Sequence, residues 1–160
     1  MMMLVKRLLR DARGASIVEL ALVAPIFAAL LIGMVDLSRA YSARLSLEQA
    51  AQRTIEKVMQ EQQMLTDYTA SIKAEGAAAA GVAQSAVTPD FYLECSTNGS
   101  TFTRATGFTA GCPAGTLYYA RYVSVAISKD FTPTFSTQYF PGANSNGTVT
   151  LTGRAGIRIQ

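Results

Sequence analysis

The sequence contains no histidine and no tryptophan, and only two of its 160 residues are cysteine. Without histidine the chain cannot build a Ser-His-Asp triad, a Cys-His dyad or a histidine metal site. Two cysteines cannot supply a four-thiolate zinc site. No set of acid, base and nucleophile converges elsewhere in the sequence, so we expect no enzyme activity, no bound metal and no cofactor.

Charged residues are also scarce, at 16% of the chain against about 25% in a typical soluble domain. The net charge of +3 comes entirely from the first fourteen residues, where Lys6, Arg7, Arg10 and Arg13 face one acid, Asp11. The remainder is neutral and has no electrostatic footprint for nucleic acid, which is therefore not an expected partner. The basic N-terminal segment is typical of a topology or targeting signal.

A long apolar stretch follows this basic segment. Residues 20–35 carry no charge, and Asp36 closes the stretch. Between Ala15 and Val35, Glu19 is the only ionisable residue. A helix over residues 15–35 spans about 31 Å, which is the hydrocarbon thickness of a bilayer. The preceding basic residues predict an N-terminus inside the membrane and a C-terminus outside it.

Three interpretations of this segment compete. A secretory signal peptide is disfavoured by Glu19 and by the lack of a clean cleavage site, since Ser38-Arg39-Ala40 is a poor substitute. An unprocessed single-pass anchor leaves unexplained a carboxylate near the lipid edge, where charges are costly. A helix that packs within a bundle of helices explains Glu19, because opposite charges that pair there lower each other's desolvation cost.

The third interpretation coincides with a family resemblance. Two stretches carry it, Gly14-Ala15-Ser16-Ile17-Val18-Glu19-Leu20-Ala21-Leu22-Val23-Ala24-Pro25 and Gly33-Met34-Val35-Asp36-Leu37. They resemble the TadE-like family of the tight-adherence (Flp, type IV-like) pilus systems, whose members are minor pilins or pseudopilins. Leu20 stands where that family usually has an aromatic residue. The C-terminal pattern, which ends in Arg158-Ile159-Gln160, is similar to the end of TadE-like sequences.

The resemblance implies a processing site and an assembly residue. Prepilin peptidase would cut between Gly14 and Ala15 on the cytoplasmic side, and Glu19, then the fifth mature residue, would face the α-amino group of a neighbouring subunit. The implied partners are other major and minor pilins, the peptidase and the inner-membrane assembly platform. The alternative is an unprocessed anchor that displays an envelope-binding or adhesin domain.

The expected domains follow from these boundaries. Residues 1–14 would be a cytoplasmic leader that is cleaved, residues 15–36 a transmembrane helix, and residues 37–160 a periplasmic pilin-like domain. The protein would lie in the inner membrane or enter the pilus at the cell surface. Pro25, inside the apolar helix, removes one backbone hydrogen bond and is expected to kink it.

The rest of the chain predicts an α+β fold. Helical periodicity without glycine or proline continues from Asp36 to Leu65, so one long helix is half apolar and half amphipathic. Thr66-Asp67 can cap a second, alanine-rich helix over about residues 68–85. Period-two alternation then predicts strands at residues 91–95, 119–127 and 149–159, within an antiparallel sheet of three or four strands that the two helices cover.

Two further features lie in the strand-rich half. Cys95 and Cys112 are expected to form one disulfide if the domain is exported, and two free thiols are the alternative. Asn98-Gly99-Ser100 and Asn146-Gly147-Thr148 match the glycosylation sequon, but they also match Asn-Gly turns, which a bacterial origin favours.

Overall fold

The computed structural model describes residues 12–60, 69–105, 108, 111–134 and 142–159, with side chains in the first helix from Ile17 onward. The chain divides into two compact units, residues up to Arg39 and residues from Ala40 on. Helix α1 contributes to both units and runs over Ala12–Gln60. The predicted extension of this helix to Leu65 and the capping pair Thr66-Asp67 lie outside the described residues.

The second unit contains a short helix and four strands. Helix α2 spans Thr69–Ala80, and a short 3₁₀ helix spans Gln84–Ala86. The strands are β1 at Val87–Ser96, β2 at Thr103–Ala105, β3 at Tyr118–Phe131 and β4 at Val149–Arg158. They form one antiparallel sheet in the order β2-β1-β3-β4. The predicted α+β class, with a long first helix and a C-terminal antiparallel sheet, is confirmed.

One face of the sheet forms the hydrophobic core with α1 and α2. In α1 the buried side chains recur every three or four residues, and in β3 they recur every two, as helical and extended backbones require. The buried cluster comprises Leu47, Ala50, Ala51, Ile55, Ile72, Ala77, Val87, Val123, Val125 and Ile127. Thr54 is also fully buried, and its hydroxyl donates to the Ala50 carbonyl at 2.8 Å, so no buried donor is left unpaired there.

Gly153 on β4 sets the distance between α1 and the sheet. A Cβ atom at this position would lie 2.3 Å from the carbonyl carbon of Leu47 and 2.4 Å from the amide nitrogen of Glu48. Backbone atoms cannot rotate away from such a contact, so only glycine permits this approach of helix to strand.

Helix α2 ends earlier than its alanine content suggested. Gly81 adopts a positive φ of 62°, and the Val82 amide donates to the Ala77 carbonyl at 3.1 Å. This is the hydrogen bond of a Schellman cap, so Gly81 terminates the helix, and the predicted end near Ser85 is wrong. A salt bridge between Lys57 and Glu75 joins α2 to α1.

Strand β1 starts at Val87, four residues before the predicted start at residue 91. Pro89 lies within β1 and pairs in register with Val125 of β3. Strand β2 pairs with residues 93–95, and no strand in the described residues pairs with the outer side of β1 at Pro89. Proline, which lacks an N–H, is tolerated at such an edge.

Candidate functional site

The predicted processing site lies in the first turns of α1. The helix begins at Ala12, so the backbones of Gly14 and Ala15 are both helical. A glycine inside a helix is about 1 kcal/mol less favourable for helix formation than an alanine. Gly14 is therefore the residue that stabilises these helical turns least.

The apolar half of α1 is exposed along its whole length. None of its most apolar 18-residue stretch is buried, and it is the one helix in the described part of the chain that is long and apolar enough to cross a membrane. Large side chains such as Leu22, Leu30 and Met34 expose 61–70% of their surface. Monomeric soluble proteins rarely expose contiguous apolar surface on this scale.

Glu19 is an exposed residue within this apolar surface. It is the only ionisable side chain between Ile17 and Val35. Within the described part of the chain, no residue hydrogen-bonds or ion-pairs with its carboxylate. If this helix lies in lipid, an unpaired carboxylate at this position is costly.

Two residues mark the middle and the end of the apolar stretch. Helix α1 continues through Pro25, whose missing N–H leaves the Ala21 carbonyl without its usual helical donor. The kink expected at Pro25 stays a prediction. Asp36 ends the stretch, and a salt bridge of 3.5 Å joins its Oδ1 to Nη1 of Arg39, one turn further on.

The disulfide lies at one end of the sheet in the second unit. Cys95 on β1 is bonded to Cys112, with 5.8 Å between their Cα atoms, and this confirms the predicted pairing. The loop between the cysteines has a second attachment. The Phe108 ring packs edge-on against Phe91 at 5.7 Å between centroids, and the Phe108 carbonyl accepts a hydrogen bond from Arg121.

Both Asn-Gly sequences form turns. Gly99 and Gly147 have positive φ values of 72° and 76°. The Asn98 side-chain oxygen accepts hydrogen bonds from the Ser100 and Thr101 amides, each at 2.9 Å. The turn interpretation of the two sequons is therefore confirmed.

One polar cluster was not predicted from the sequence. On the sheet face that points away from the helices, the Arg104 guanidinium contacts the Asp90 carboxylate at 2.6 Å and lies over the Tyr92 ring at 4.3 Å. The Tyr92 ring stacks on Tyr122 at 5.1 Å. The only sign of this cluster in the sequence is that Asp90 and Tyr92 are two positions apart, which puts them on the same face of a strand. The sequence does not show that Arg104 joins them, because that depends on the register of the short β2.

The described residues contain no group of three or more His, Cys, Asp or Glu side chains that could hold a metal ion. The N-terminal helix combines three features that bear on function, namely Gly14, the exposed carboxylate of Glu19 and the exposed apolar surface.

Comparison with known proteins links this helix to a family. Residues 14–55 match the family model of the TadE-like proteins. The resemblance drawn from the residues is thus confirmed for the TadE-like segment, which covers about a quarter of the chain. The match shows that this segment is similar to TadE-like proteins.

The first and last residues of the TadE-like segment show which parts of the chain the match includes. It starts at Gly14 and ends at Ile55, so it includes both the exposed apolar stretch and the α1 residues that enter the domain core. The similarity noted around β4 and Arg158-Ile159-Gln160 lies outside it. No curated protein and no solved structure matches the chain.

Proposed function

We propose that this chain is a minor pilin or pseudopilin of a tight-adherence pilus, which prepilin peptidase processes between Gly14 and Ala15 and which acts in pilus assembly or initiation. Its role is structural rather than catalytic. Its partners are other major and minor pilins, the peptidase and the inner-membrane assembly platform. The N-terminus is cytoplasmic and the disulfide-bonded domain is periplasmic.

The observation that carries the proposal is the placement of Glu19. The residue lies five positions after Gly14, on the part of α1 that matches the TadE-like family, and no described residue pairs with it. A carboxylate in lipid requires a partner of opposite charge. Cleavage after Gly14 creates such a partner, the α-amino group of Ala15, on every subunit. Pairing between neighbouring subunits then satisfies both charges.

The helical backbone at Gly14 bears on cleavage. A protease acts on an extended segment, so the first turns of α1 must open before the Gly14–Ala15 bond can enter an active site. Glycine lowers the cost of that opening by about 1 kcal/mol relative to alanine. Gly14→Ala should therefore slow processing, and a bulky residue such as Gly14→Leu should block it.

Intact-mass analysis tests the proposal directly. The full chain is produced in the membrane with and without the cognate peptidase, and its mass and N-terminal sequence are determined. We expect the mature chain to begin at Ala15 when the peptidase is present and to retain residues 1–14 when the peptidase is absent. Ala12→Gly, a change of the same size outside the scissile bond, serves as the control: it eases opening of the same turn and should not slow processing.

A chain that keeps residues 1–14 in the presence of active peptidase would contradict the proposal. The same helix would then act as an unprocessed anchor, and the periplasmic domain would be displayed as an envelope-binding or adhesin module.

A further inference from the structure

The two edges of the sheet differ in how they are protected. On one side, β2 pairs with residues 93–95 of β1. The rest of this side of β1 contains Pro89, which has no backbone N–H to donate to another strand. On the other side lies β4, which has ten residues without proline. In the described part of the chain, no strand pairs with its outer side. Native sheets usually block such edges, because an open edge is a template for another strand.

The backbone of β4 presents hydrogen-bonding groups to this edge. The Ile159 amide donates to the Arg121 carbonyl of the β3 side at 2.8 Å. Because pairing alternates along an antiparallel ladder, the odd-numbered residues of β4 bond to β3. The even-numbered residues, among them Thr150, Thr152, Arg154 and Gly156, direct their N–H and C=O groups outward.

The side chains at the edge are incompletely covered. On the core face of β3, Val123 and Val125 are only 2% and 1% exposed. Their neighbours on β4, Ile157 and Ala155, are half-buried, as is Leu151. An additional strand beside β4 would cover these apolar side chains.

The edge also carries a charge pattern. Arg154 and Arg158 are the only ionisable residues of β4. A groove of about 380 Å³ runs between α1 and the edge strand, lined by Arg44, Glu48, Thr150, Leu151, Thr152 and Arg154. Glu48 is paired with Arg44 at 3.2 Å, and the exposed Arg154 adds one further positive charge to the residues that line the groove.

We propose that the outer edge of β4 is a docking site for an extended segment of another protein that alternates apolar and acidic residues. Its backbone would pair with the outward groups of β4, its apolar face would cover Leu151 and Ile157, and its acids would meet Arg154. A second copy of β4 fits poorly, because β4 carries two arginines and supplies no acid to pair with Arg154. The inference depends on neither cleavage nor Glu19.

Peptide binding tests this inference. The full chain in detergent micelles is titrated with two labelled ten-residue peptides, one that alternates valine and glutamate and one that alternates valine and lysine. We expect the valine–glutamate peptide to bind at least about tenfold more tightly. Arg154→Glu should weaken its binding by about fivefold or more and should favour the lysine peptide. Arg53→Glu, the same charge change on the exposed side of α1, should alter neither affinity.

A second variant tests the backbone contribution. Thr152→Pro removes one outward N–H without removing a bond to β3, and it should weaken binding of the glutamate peptide. An intact Cys95–Cys112 bond and a cooperative thermal transition establish that each variant is folded. If Thr152→Pro does not fold, the exposed Arg154→Glu still decides the question.

Three results would overturn the proposal. The first is equal binding of both peptides, and the second is unchanged binding to Arg154→Glu. The third comes from a photoreactive benzoyl-phenylalanine placed at Thr152: a crosslink between two copies of the chain, instead of a crosslink to the glutamate peptide, would assign this edge to a second copy.

Discussion

The close approach of α1 to β4 at Gly153 makes a quantitative prediction. An alanine Cβ at this position would lie 2.3 Å from the Leu47 carbonyl carbon and 2.5 Å from the Leu47 oxygen. Non-bonded carbon atoms prefer a separation of about 3.5–4.0 Å. The Gly153→Ala protein must therefore move α1 and β4 apart by about 1 Å, which separates Leu47 from the sheet side of the core.

Overpacking of a core costs about 1–3 kcal/mol. We expect the loss of stability in Gly153→Ala to lie near the upper end of this range, because the obstructing atoms belong to the backbone and no side-chain rotation relieves the contact. For a domain of this size, each kcal/mol lowers Tm by roughly 4 °C, so Tm should fall by about 8–12 °C. Thermal unfolding of the full chain, followed by circular dichroism in detergent, measures this shift.

Gly156→Ala is the matched control. It makes the same change on the same strand, but the nearest atom to the new Cβ is the Ser124 Cβ at 3.1 Å, and the position is exposed. Its Tm should stay within about 4 °C of the wild-type value, equivalent to about 1 kcal/mol. Equal Tm values for Gly153→Ala and the wild type would refute the claim that Gly153 sets the spacing of helix and sheet.

Three further predictions concern the disulfide, Glu19 and the end of α2. Thiol labelling of denatured, unreduced protein should find neither Cys95 nor Cys112 free, and loss of the bond should destabilise the domain by about 3 kcal/mol; full labelling of both would contradict the structure. In a strain that lacks the wild-type copy, the Glu19→Gln and Glu19→Leu proteins should insert normally but give fewer surface pili and fewer crosslinks to partner pilins. Normal pili with Glu19→Leu, at equal protein level, would show that Glu19 is not an assembly contact. Gly81→Ala should lower stability by about 1 kcal/mol in chemical denaturation because a residue with a Cβ is strained at a positive φ; an unchanged unfolding midpoint would show that the cap contributes little.

Sequence periodicity was sufficient for the larger elements of this fold. Helical spacing from Leu47 to Ile55 and alternation from Val123 to Ile127 each reflect burial of one face, and burial of one face is what such patterns record. The disulfide followed from a count, since two cysteines allow one possible pair within the chain.

Features that depend on contacts between distant residues were not accessible in this way. Strand β2 has three residues, too few for alternation to be recognised, and it exists through pairing with residues 93–95. Pro89 reads as a strand boundary until the sheet order places it at an open edge. Gly153 reads as a weak strand residue, and only the position of Leu47 explains why glycine is needed there.

The candidate functional residues also fall into two groups, those defined by local spacing and those defined by contacts between distant residues. Gly14, Ala15 and Glu19 are defined by their spacing along one helix, and spacing along the chain can be recognised in the sequence alone. The open edge of β4 and the Asp90–Arg104 contact arise from strand order and register, which local sequence does not specify.

The attachment of the loop between the cysteines gives the domain two levels of local stability. The buried core cluster uses α1, α2, Val87 and the part of β3 from Val123 onward, and neither cysteine belongs to it. Reduction would therefore remove the covalent attachment of this loop and leave the pairing of β2 with β1, the Arg104–Asp90 contact and Phe108 to hold it. Amide hydrogens of β2 would then exchange rapidly with solvent while those at the centre of β3 stayed protected. The oxidation state of the compartment would thus affect the order of this end of the sheet more strongly than that of its centre.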